Sequence, residues 1–73
     1  VLHEVRAEYD PDESPGQPDA RVTRWHMVRE MGTTAMCGRE LDPKSAVLPA
    51  DDWGRTREPF CHTCGALYLR EVP

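Results

Sequence analysis

Arg24-Trp25-His26-Met27-Val28-Arg29, then Glu30-Met31-Gly32-Thr33 and Thr34-Ala35-Met36-Cys37, is the stretch on which the fold turns. The first run is rich in strand-favouring residues, and Gly32 offers the positive φ that a tight reversal needs, so the segment reads as a β-hairpin. With Met31-Gly32 as a two-residue loop, Glu30 faces Thr33, Val28 faces Ala35 and His26 faces Cys37. Met27 pairs with Met36 and Trp25 with Gly38 on the other face. Directly opposed residues share a face with Cβ atoms about 4.5–5.5 Å apart, so His26 and Cys37 can converge on one ion. A one-residue slip would undo the coincidence.

Working outward, Gly38 eases the backbone turn beyond Cys37, and Arg39–Lys44 reads as loop. Ser45-Ala46-Val47-Leu48 is a short apolar run stopped by Pro49, which predicts an edge strand, and 51–57 is a polar loop around Trp53. Cys61-His62-Thr63-Cys64-Gly65 is a Cys-x-x-Cys knuckle running into Ala66-Leu67-Tyr68-Leu69-Arg70-Glu71-Val72. The spacing predicts a helix starting near Thr63 or Cys64, whose N-terminal dipole favours thiolates. A closed structural zinc site takes four ligands, and the order His26-x10-Cys37-x23-Cys61-x2-Cys64 supplies them. His62 is the alternative histidine, disfavoured because it lies inside the knuckle, and His3 lies far away near the chain's start. Competing readings are a redox Cys-x-x-Cys, which normally rides on a larger scaffold, and an iron–sulfur centre, which normally takes four cysteines. The plain alternatives are Cys37 as a small buried hydrophobe and His26 as a strand histidine with no metal role.

Composition explains why a staple is needed. The chain has 73 residues, 38% hydrophobic and 30% charged, too little apolar material for a self-sufficient core. Three cysteines are an odd number for a disulfide framework, and reduced thiols suit a cytoplasmic setting. The formal net charge of −4 argues against a general nucleic-acid clamp, and no apolar run is long enough for a membrane span. From Val1 to Arg24 six acids outnumber three bases, with Pro11, Pro15, Gly16 and Pro18 crowded together. Residues 1–24 therefore read as a disordered acidic tail and 25–73 as the folded domain, with Leu2, Val5 and Tyr9 hinting at no more than a helical turn. Most of the acidity then belongs to the tail.

Trp25-His26, the short hairpin, Cys37-Gly38, the loop with Trp53-Gly54, and Cys61-x-x-Cys64 before a Leu-Tyr helix together resemble small bacterial zinc-finger proteins that bind zinc through one histidine and three cysteines. The likeness covers about residues 25–70, and its outline is similar to treble-clef fingers, although the first ligand pair here is His26 and Cys37 rather than a knuckle. The expected fold class is thus a small α+β zinc finger, with a β-hairpin, a knuckle and a C-terminal helix around one structural Zn2+, preceded by the tail. Four protein ligands leave no open position for water, and no phosphate loop or serine–histidine pair is present, so an enzyme is not expected. The adjacent Asp51 and Asp52 read as solvated turn residues. Two function classes remain. A monomeric protein-interaction or regulatory module docking on an unidentified basic partner protein is favoured. The alternative is a nucleic-acid-binding zinc finger, as in a transcriptional regulator, using Arg55 and Arg57 beside Trp53 and Arg21, Arg24 and Arg29 around Trp25.

Overall fold

His3-Glu4-Val5-Arg6-Ala7-Glu8-Tyr9 alternates with period two, Val5, Ala7 and Tyr9 against Glu4, Arg6 and Glu8, which is the pattern of a strand. In the computed structural model, which describes residues 2–17, 19–29 and 32–71, this segment is β1 (His3–Tyr9). It is the middle of a three-stranded antiparallel sheet ordered β2-β1-β3, with β2 at Val22–Arg29 and β3 at Val47–Pro49. A 3-10 turn at Ala50–Asp52 and helix α1 (His62–Glu71) complete the small α+β fold.

The expected disordered tail over 1–24 is therefore corrected. Val5 and Ala7 are fully buried, and the proposed boundary at residue 24 falls inside β2. The reason lies in what the charges do. Arg6 is buried, and its Nη1 donates to the carbonyl oxygens of Asp42, Pro43 and Ser45 at 3.4, 3.3 and 3.5 Å, while its Nε has no partner among the described residues. A charged side chain that reaches internal carbonyls organises a loop, although a buried cation without a carboxylate is costly. The connection between β1 and β2 is a chain of turns, with Glu13 N–H bonded to Asp10 O at 2.9 Å and Gln17 N–H to Ser14 O at 3.2 Å. Gly16 has φ 86°, and a Cβ there would lie 2.8 Å from Lys44 O, so only glycine fits.

β2 takes β1, not residues 34–37, as its ladder partner, with Arg6 opposite His26, Ala7 opposite Trp25 and Glu8 opposite Arg24. Of the expected hairpin pairs, Val28–Ala35 forms an isolated antiparallel bridge, and Met36 N–H donates to Met27 O at 2.8 Å. The return strand goes no further. Ala35 N–H bonds to Arg39 O, Thr34 bridges Glu40, and Gly38 at φ 98° closes a tight reversal with Cys37 near its tip. Trp25 consequently pairs with Phe60, in parallel, rather than with Gly38. The Glu30–Thr33 pairing and the Met31-Gly32 loop, with the positive φ expected at Gly32, lie outside the described residues. β3 is an edge strand ending at Pro49, its pairs with β1 running from Glu4–Pro49 to Arg6–Val47. The buried apolar set is small: Val5, Ala7, Trp25, Met27, Val28, Ala35, Leu41, Cys61 and Cys64.

Candidate metal centre

The outer edge of β2 builds the site. At one point Trp25 N–H donates to Pro59 O at 2.9 Å and Cys61 N–H to Trp25 O at 2.8 Å, bringing the start of the knuckle alongside. Further along the same edge, the Met36–Met27 bond brings in the reversal that carries Cys37. His26 lies between these two attachments. α1 begins at His62 and places Cys64 in its first turn, where the Cys64 N–H donates to Cys61 Sγ at 3.5 Å and Gly65 N–H to Cys61 O at 3.0 Å.

The ligand atoms of His26, Cys37, Cys61 and Cys64 all lie within 4.8 Å of one another. His26 Nδ1 is 3.6 Å from Cys37 Sγ and 3.5 Å from Cys64 Sγ. Zinc bonds of about 2.3 Å to sulfur and 2.0–2.1 Å to nitrogen at a tetrahedral angle give an N···S edge of about 3.6 Å, so these two edges already have the length of a metal tetrahedron. The 4.8 Å limit exceeds the ideal edge by about 1 Å. His26, Cys61 and Cys64 are buried, Cys37 is half-buried, and none of the three cysteines is in a disulfide. The four residues can hold one metal ion.

Electrostatics favour a cation here. Burial pushes the Cys64 thiol up to about 12, with the neighbouring Cys61 adding to the rise, although the amides of Met27 and Cys37 work against it. Burial also raises Cys61, but the amide and thiol of Cys64, the Cys37 thiol and the Thr63 amide outweigh it, leaving Cys61 below its ordinary value. Cys64 thus resists ionisation until a positive ion compensates, and metal uptake there releases a proton.

The other two histidines are elsewhere. His62 is exposed and lies against Phe60, ring centroids 5.4 Å apart, and Phe60 in turn is 5.1 Å from Trp53. His3 packs edge-on against Tyr68 and meets Glu71 at 3.0 Å. Trp53 covers the knuckle side of α1, since a Cβ on Gly65 would lie 3.4 Å from its ring. Asp51 and Asp52 sit in the 3-10 turn and do not join the cluster. Sequence reasoning missed one residue of the site. Glu8 on β1 meets His26 Nε2 at 2.5 Å, from the opposite side of the ring to the sulfurs. Its signal was the period-two alternation of His3–Tyr9, which puts Glu8 on the same face as Arg6, the partner of His26 across the strands.

Among the described residues, no helix is long and apolar enough to cross a membrane. Compared with known proteins, the chain matches no family model, no curated protein and no solved structure. What stands of the resemblance is the convergence of His26 with Cys37, Cys61 and Cys64, compatible with a one-histidine, three-cysteine metal site.

Proposed function

We propose that the protein is a non-enzymatic zinc-binding domain whose single structural Zn2+ is held by His26, Cys37, Cys61 and Cys64, and that it serves as a protein-interaction or regulatory module. The observation that carries the reading is the set of four converging protein donors on three separate chain segments: strand β2, the Cys37 reversal and the knuckle. Three sulfurs and one imidazole suit zinc, and four protein ligands leave no position for substrate or water. A structural ion also supplies what the small core lacks. Native mass spectrometry should find one zinc per chain, and a strong chelator should abolish the dispersed amide spectrum of residues 22–71. A chain that takes up no metal, or stays folded with chelator, overturns the proposal.

Support for an interaction role comes from apolar side chains facing solvent on a small domain. Leu2 is 73% and Leu69 71% exposed, and Phe60 and Val47 are also exposed. The net charge of −4 favours a basic protein over nucleic acid, and three unpaired thiols suit the reducing cytoplasm. A salt titration against DNA and RNA separates the two function classes. The proposal expects no binding even at low salt; measurable affinity falling steeply with salt would replace it with the nucleic-acid reading, through Arg55 and Arg57.

A further inference from the structure

Glu8 contributes no ligand, yet it touches the one ligand that is not a cysteine. Its Oε1 lies 2.5 Å from His26 Nε2, while His26 Nδ1 faces Cys37 and Cys64. A neutral imidazole carries one N–H. If Nδ1 is to offer a lone pair to a metal, the proton must sit on Nε2, and a carboxylate that accepts from Nε2–H selects that tautomer. The ring is 2% exposed, so no water competes freely for the bond.

The carboxylate is itself held from two sides. Arg39 Nη2 is 3.2 Å from Glu8 Oε2, and Arg24 Nε, directly across the strands, is 3.9 Å from Oε1. Arg39 follows Cys37-Gly38 on the reversal, so one side chain of β1 reaches both the imidazole ligand and the segment bearing a sulfur ligand. The charges also balance locally. Three thiolates and a dication leave about −1, Glu8 adds another negative charge, and the two arginines offset them.

We infer that Glu8 is a positioning residue of the metal centre: it fixes the Nδ1-binding tautomer and orientation of His26 and ties the central strand to the site. Carboxylates placed behind a ligating histidine typically change metal affinity by about 10- to 100-fold when removed. The inference rests on the metal proposal and is distinguishable from it.

The test is zinc affinity of the full chain, measured by competition with a chromogenic chelator, together with the 15N spectrum of the His26 ring. Wild-type protein should bind zinc through Nδ1 with a slowly exchanging proton on Nε2. Glu8→Ala should bind about 10- to 100-fold more weakly, with the Nε2 proton exchanging fast. Glu8→Gln keeps an acceptor oxygen without the charge, so it should recover part of the loss, and it carries the test if the alanine variant does not fold. Glu13→Gln removes the same charge from a carboxylate that, among the described residues, meets only Arg21, at 3.4 Å, and should leave affinity unchanged. A Gln variant with wild-type affinity and an unshifted Nε2 proton overturns the inference, as does an equal loss in Glu13→Gln. Wild-type protein that binds no zinc overturns the metal proposal and this inference with it.

Discussion

The two outer edges of the sheet are finished in different ways. β3 is three residues long and stops at Pro49, so it offers little for another strand to pair with. β2 is eight residues long, and its edge is occupied by two separate pieces of chain, residues 59–61 in parallel at Trp25 and residues 35–36 antiparallel at Met27–Val28. Among the described residues, each piece makes one or two backbone bonds to the strand. What they share is a cysteine beside His26. One edge is protected by brevity; on the proposed metal-bound reading the other is protected by ligation, since a shallow set of hydrogen bonds suffices there only if the donors converge on an ion.

The sharpest way to break this contrast is to remove the metal. An apparent binding free energy of roughly 10–16 kcal/mol for a structural zinc exceeds the few kcal/mol that so small a core supplies. Chelation should therefore erase both attachments to β2, read as loss of amide protection at Trp25, Met36 and Cys61, and drive global unfolding. Met27→Ala comes next. Met27 is fully buried, and truncation should cost about 2–5 kcal/mol, seen as a lower denaturation midpoint with zinc still bound. Gly16→Ala should cost about 1–2 kcal/mol through its left-handed backbone, and more if Lys44 cannot give way, with no change in zinc affinity. On the β3 edge, Val47→Thr should change stability by no more than about 0.5 kcal/mol, because Val47 is exposed. A large effect there would refute the idea that brevity protects this edge.

The smallest expected effect lies at the far end of α1. Arg29, chiefly through hydrogen bonds, and then His3 hold the Glu71 carboxyl down from 4.5 to about 2. Since the folded value is depressed, this contact stabilises fully above the usual carboxylate range and fades as pH falls from about 4.5 toward about 2. Its 13C carboxyl shift in the zinc-loaded chain should show no onset of protonation as pH falls from 7 to about 5, where a carboxyl at the ordinary 4.5 would already be partly protonated. The pair is exposed, so added salt should weaken it.

The cysteine half of the molecule was readable because its chemistry is local. Cys61 and Cys64 announce a knuckle by spacing, Gly38 marks a reversal, Pro49 marks the end of an edge strand, and the Val28–Ala35 pairing follows from a hairpin even though the hairpin stops there. In the N-terminal half composition and period point in opposite directions, and the period-two alternation of β1 is what the fold obeys. Glu4, Arg6 and Glu8 raise the charge of residues 1–24, yet each lies on a strand whose alternate residues Val5 and Ala7 are buried. The partners that make these charges acceptable, the carbonyls of 42–45 and the ring of His26, are far away in sequence and carry no short-range signature. Arg6 and Glu8 are tertiary connections in the form of surface-type residues.

The double attachment along β2 also sets what happens when the ion leaves. With residues 35–36 and 59–61 gone, Trp25, His26, Met27 and Val28 present a strand of apolar side chains and unpaired amides to solvent, the composition that recruits a second chain. Metal-depleted protein should thus lose solubility as well as shape, with light scattering rising on chelation and falling when zinc is restored early. The ion that closes the fold would be, for the same geometric reason, its guard against self-association.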